Sequence, residues 1–68
     1  MTTTFDPGTR VRPTVPLTAP DHEGAVVTWK PVWVLRVMSQ IGGEVKCVHD
    51  VTGRRCVLPA DKLTRVGG

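Results

Sequence analysis

Val32-Trp33-Val34-Leu35-Arg36-Val37-Met38-Ser39-Gln40-Ile41, Gly42-Gly43, Glu44-Val45-Lys46-Cys47-Val48-His49, Asp50-Val51-Thr52-Gly53 and Arg54-Arg55-Cys56-Val57-Leu58-Pro59 follow one another without a break. This stretch decides the fold. Three β-branched, apolar-rich runs are separated by two glycine-bearing turn segments, and none sustains a helical apolar period. Side chains alternate faces along a strand, so a slip of one residue turns a whole apolar set outward. Asp50-Val51-Thr52-Gly53 suits a four-residue hairpin loop with Gly53 in the left-handed conformation. That register sets Cys47 opposite Cys56 and Val45 opposite Leu58. For the preceding hairpin, a three-residue loop Ile41-Gly42-Gly43 with Gly43 at a bulge gathers Trp33, Leu35 and Val37 with Val45 and Cys47. A two-residue Gly42-Gly43 turn is expected to send that strand's apolar set to the other face. The expected core is therefore Trp33, Leu35, Val37, Val45, Cys47, Cys56 and Leu58. The outer face carries Val34, Arg36, Met38, Lys46, Val48, Arg55 and Val57.

Working outward, residues 1–7 read as a flexible lead before a Pro7-Gly8 turn, and Thr9-Arg10-Val11-Arg12 as a short alternating strand stopped by Pro13. Pro13, Pro16, Pro20 and Gly24 punctuate residues 13–24, a spacing that excludes a helix and predicts a long irregular loop. Ala25–Trp29 reads as a strand ended by Lys30-Pro31. Pro59–Leu63 fits one helical turn, Thr64–Val66 a last strand, and residues 67–68 a tail. The expectation is one all-β domain over residues 8–66, a small barrel of about five antiparallel strands. A chain of 68 residues buries only about 60% of the surface it exposes when unfolded, so every large side chain matters. Of the two tryptophans, Trp33 is expected to fill the core and Trp29 to cap the end of the barrel.

Nine basic and six acidic residues leave a net charge of +3. This permits an approach to phosphate or to an acidic protein without dictating either. The amino terminus has neither a basic start nor an apolar run, and no stretch is long and apolar enough to span a bilayer. A cytoplasmic protein with reduced thiols and no membrane contact is the expectation.

Two cysteines are too few for a disulfide framework. Cys47, His49 and Cys56 share the inner face, and His22 lies in the long loop. These are zinc donors by type, but Cys-x-His with a distant third ligand lacks the spacing of a zinc knuckle. The cysteines are expected to be small core residues and both histidines to face solvent, with no metal and no cofactor. A catalytic thiol must be accessible and stabilised as a thiolate, conditions an inner-face cysteine does not meet. No paired acids, phosphate-binding glycine loop or Gly-x-Ser-x-Gly elbow is present. The chain is expected to bind rather than to catalyse. Arg10, Arg12, Arg36, Lys46 and Arg55 form the candidate nucleic-acid surface, because phosphate recognition needs several cations on one rigid face. Val34, Met38, Val48 and Val57 on the same face are the candidate surface for a protein partner or for self-association.

Gly8-Thr9-Arg10-Val11-Arg12, the proline-rich loop, Gly24-Ala25-Val26-Val27, Leu58-Pro59 and Leu63-Thr64-Arg65-Val66 together resemble an SH3-like barrel. They are similar to KOW-type barrels and to a photosystem I accessory subunit. The resemblance covers residues 5–66 and implies a long loop after the first strand and one helical turn before the last. Gly24-Ala25-Val26-Val27-Thr28-Trp29 and the ending Leu58–Val66 also resemble the plasmid-encoded type II dihydrofolate reductases, short chains that assemble as tetramers around one pore. Where that family lines its pore with Val-Gln-Ile-Tyr, this chain has Arg55-Cys56-Val57-Leu58. The resemblance therefore extends to the scaffold and not to the active site.

Overall fold

Both glycine loops close hairpins, and they do so with different geometry. The computed structural model describes residues 3–66. In chain order the elements are β1 (Arg10–Pro13), β2 (Leu17–Pro20), β3 (Val26–Trp29), β4 (Leu35–Ile41), β5 (Glu44–His49), β6 (Arg55–Pro59), a 3-10 turn (Ala60–Lys62) and β7 (Leu63–Arg65). All pairings are antiparallel. Five strands form one sheet in the order β6-β5-β4-β1-β7, and β2 pairs with β3 in a separate two-stranded sheet.

The β5–β6 hairpin has the expected register, with Val45 opposite Leu58 and Cys47 opposite Cys56. Its four-residue loop is closed by His49 N–H donating to Arg54 O and Gly53 N–H donating to His49 O, both at 2.7 Å. Gly53 has φ 74°, a conformation that favours glycine.

The β4–β5 hairpin differs from expectation. Its loop is the two-residue Gly42-Gly43 turn, with Ile41 opposite Glu44 and a positive φ of 59° at Gly42. The apolar set nonetheless points inward. Between Val37 and Ser39 the register shifts by one, so Met38 is an extra residue opposite no partner. This β-bulge resets the alternation: Gln40 faces Val45, and beyond the bulge Val37 faces Cys47. The bulge lies within the strand rather than at Gly43.

Two expectations about the rest of the chain are corrected. The anticipated barrel of five strands is instead, among the described residues, seven strands in two sheets that are not closed into a barrel. The supposed irregular loop over residues 13–24 contains β2, which pairs from Leu17 with Trp29 to Pro20 with Val26. Pro16 and Pro20 bracket this short strand. Proline is tolerated at the edge of a sheet, where its missing N–H breaks no ladder.

The tryptophans exchange the roles expected of them. Trp29 is 0% exposed and donates its indole N–H to Ala19 O at 3.2 Å, whereas Trp33 is half-buried. Leu35, Val37, Val45, Cys47, Cys56 and Leu58 form the core as expected, joined by Phe5, Val11, Ala60 and Leu63. Residues 3–7 of the expected lead are tied down. Phe5 is buried, its N–H donates to Gln40 Oε1 at 2.8 Å, and Gln40 Nε2 donates to Thr3 O at 2.7 Å. Residues 1–2 and the tail, 67–68, lie outside the described residues.

The bulge makes a specific demand on chain length. Deleting Met38 leaves Val37 opposite Cys47 and Ser39 opposite Lys46 in an ordinary ladder, so this variant should fold. Deleting Arg36 moves Leu35 to the outer face and should abolish the cooperative transition. Thermal melting followed by circular dichroism separates the two; equal behaviour of the deletions would refute the role given to the bulge.

Candidate nucleic-acid interface

A positively charged surface is useful to an anion only if its cations share one face at fixed spacing. Arg10 is directly opposite Arg36 across β1 and β4. Arg36 is opposite Val48 across β4 and β5, and Val48 is opposite Arg55 across β5 and β6. Partners in antiparallel strands project to the same face, so Arg10, Arg36, Val48 and Arg55 form one row across four strands. With neighbouring strands about 4.8 Å apart, the row runs about 14 Å. All three arginines are exposed.

Lys46 stands two residues from Val48 on β5, on the same face, opposite Val57. Arg12 stands two residues from Arg10 on β1, opposite Thr64 of β7. The five cations expected to meet phosphate therefore occupy the outer side of a single sheet. Asp50 offsets part of this charge, its Oδ1 lying 3.8 Å from Arg36 Nε.

The apolar candidates are less uniform. Met38 is 42% exposed at the bulge and Val57 is 47% exposed on the edge strand. Val34 and Val48 are half-buried.

Beyond β6 the β2–β3 hairpin folds against the sheet. Asp21 organises its turn: one carboxylate oxygen accepts the N–H groups of Glu23 at 2.9 Å and Ala25 at 3.0 Å. The other accepts from Arg54 Nη1 at 3.2 Å. In the same turn His22 Nδ1 accepts the backbone N–H of Arg55 at 3.1 Å. This N–H belongs to the free edge of β6, since Arg54 O, one residue earlier, accepts from His49 N–H and bonding directions alternate along an antiparallel strand. A histidine ring thus occupies a place that a further strand would take in a closed barrel. A groove of about 460 Å³ remains there, bordered by Pro20, His22, Lys46, Arg55 and Val57.

The possible zinc donors are directed elsewhere. His49 is buried, stacks on Trp33 and shares a 2.9 Å hydrogen bond between Nδ1 and Thr52 Oγ1. Cys47 and Cys56 are free, buried thiols. Pairing with Cys47, reinforced by burial, pushes the Cys56 thiol well above its ordinary range. Among the described residues no group of three or more His, Cys, Asp or Glu is placed to hold a metal. Among them, too, no helix is long and apolar enough to cross a membrane.

Known proteins offer no guide. No protein-family model, no curated protein and no solved structure matches the chain. The geometry must carry the functional reading alone.

Sequence reasoning missed Asp21, Arg54 and Lys30. The Asp21-x-Glu23-Gly24-Ala25 pattern is the available signal, because aspartate readily accepts N–H groups two to four residues ahead in a turn. Arg54 had no such signal, since its partner lies 33 positions away.

Asp21 yields a pH prediction. Burial raises its pKa, but the N–H groups of Glu23 and Ala25, with the charges of Arg54 and His22, outweigh this and hold it below the ordinary carboxylate value. A carboxyl depressed by folding contributes stability above its unfolded pKa, about 3.9, and that contribution is lost as pH falls through the folded value. The melting temperature should therefore drop on acidification below about pH 4. Asp21→Ala should be destabilised at pH 7 and should show a shallower acid decline. Parallel pH–melting curves for wild type and variant would refute the linkage.

Proposed function

We propose that this protein is a non-catalytic binding module that associates with nucleic acid through the outer face of its five-stranded sheet. The observation that carries the reading is the direct apposition of Arg10 and Arg36, continued in the same row by Arg55. Like charges directly opposite one another across strands are destabilising. A row of phosphates converts that repulsion into attraction and releases its condensed counterions. The row spreads its three arginines over about 14 Å, far enough to meet several successive phosphates of one strand. Lys46 and Arg12 flank it on either side. The order β6-β5-β4-β1-β7 and the 3-10 turn ahead of β7 support reading the scaffold as an open SH3-like one, a framework compatible with many binding functions.

A second reading, self-association or a protein partner at Val34, Met38, Val48 and Val57, is favoured only by the exposure of Met38 and Val57. It requires a mass that rises with concentration in sedimentation, and loss of that rise in Val57→Glu.

Fluorescence anisotropy of a labelled oligonucleotide tests the first reading. Binding should weaken linearly in log–log salt titration with about three to four phosphate contacts. The double variant Arg36→Ala with Arg55→Ala should lose about tenfold or more in affinity at low salt, and about two contacts from the slope. Undetectable binding to both DNA and RNA at low salt would overturn the proposal.

A further inference from the structure

Trp33 is placed by the turn that follows β3. Its N–H donates to Lys30 O at 2.9 Å across Lys30-Pro31-Val32-Trp33, and Pro31 pre-sets the backbone angle such a turn needs. The ring is then fixed from two sides. His49 stacks on it at 4.9 Å with an interplanar angle of 21°, and Trp29 meets it edge-on at 6.0 Å and 87°. His49 is itself held by Thr52. Trp33 remains half-buried and borders a groove of about 450 Å³, whose rim includes Thr28, Lys30, Thr52 and Arg54. The ammonium of Lys30 stands over the ring, 5.8 Å from its centroid.

We infer that this groove is a base-stacking subsite, so that the nucleic acid held by the sheet is single-stranded. The inference rests on the cationic-face reading above and names its substrate class. Three features carry it. The ring is rigidly backed, so stacking a base on it orders little that is not already ordered. Lys30 and Arg54 place two cations beside the ring, and Arg54 commits one of five N–H donors to Asp21. Arg54 also immediately precedes Arg55, the last arginine of the row, but alternation along the chain turns the two side chains to opposite faces of the sheet, so only a flexible strand passing round the β5–β6 loop reaches both the row and the groove.

An acidic peptide fits less well. The face of an aromatic ring carries negative potential, which repels a carboxylate but accepts the flat face of a base. On binding, the base displaces Lys30 from the ring and leaves its ammonium to a neighbouring phosphate. A base paired within a duplex is stacked on its neighbours and does not reach the ring.

The test uses the full chain and three probes of equal length and label: single-stranded oligo-dT, its abasic counterpart, and the dT·dA duplex. Oligo-dT should bind about five- to tenfold more tightly than the abasic strand and should quench tryptophan emission, while the duplex should not quench. Trp33→Leu should remove both the preference and the quenching yet keep salt-dependent binding. Lys30→Ala, which leaves the core untouched, should weaken oligo-dT more than the duplex. Equal affinity for oligo-dT and the abasic strand would overturn this inference while leaving the cationic-face reading intact. So would quenching that persists in Trp33→Leu, or an acidic peptide that competes as well as oligo-dT. Failure of all three probes to bind at low salt would overturn both.

Discussion

The fold depends on keeping one side of β4 apolar toward one core while its two ends obey different registers. A two-residue turn at Gly42-Gly43 fixes the strand's end nearest the loop, where Gln40 must face Val45. The opposite end must present Leu35 and Val37 to His49 and Cys47. These demands differ by one residue, and strand geometry has no half-measure. Met38 absorbs the difference. Inserting one residue without a partner lets the tight turn and the buried valine and leucine coexist, and the added twist of a bulge bends the sheet over its core. The outward placement of Arg36 goes with the same step, because Arg36 lies outward only because Leu35 and Val37 lie inward.

The second constraint is the supply of large side chains. With one phenylalanine and no tyrosine, the centre of so small a core must come from a tryptophan, and Trp29 provides it with its indole N–H paired to Ala19 O. The β2–β3 hairpin is what delivers Trp29 there. Its turn is held by Asp21, and its docking by His22 on the β6 edge and by Arg54 on Asp21. Once Trp29 occupies the centre, Trp33 need not. It becomes a partly exposed ring braced by a buried histidine. Packing and surface chemistry are therefore coupled through the choice of which indole goes inside.

Much of this was legible in the residues, and the exceptions have physical causes. The register of β5 and β6 could be read because a glycine with a required positive φ sits at the end of a four-residue loop, leaving Cys47 and Cys56 one possible pairing. The core face of β4 could be read from its apolar alternation, but not the means of achieving it. A bulge within a strand has no composition signature, and methionine is at home on either face. β2 was hidden because Pro16 and Pro20 are strong loop signals, which an edge strand tolerates only for tertiary reasons. The two tryptophans were indistinguishable locally, both lying near Pro31 in apolar runs. Only the long-range pairing of Leu17 with Trp29 separates them. The cationic residues were legible as an outward set because parity alone assigns them. Their alignment into a row required the registers of three strand pairs at once.

That alignment is unfavourable for folding. Arg10 and Arg36, directly opposed, have Cβ atoms about 4.5–5.5 Å apart, and β-branched or aromatic residues at both positions would stabilise the sheet instead. Asp50 relieves Arg36 only from 3.8 Å and only partly, both side chains being open to solvent. A domain with so little buried surface has few such concessions to make. The disagreement between local charge and global stability is therefore concentrated on one face of one sheet. Departures of that kind from the rules that favour folding are expected at functional sites, which is what the proposed nucleic-acid contact supposes of this face.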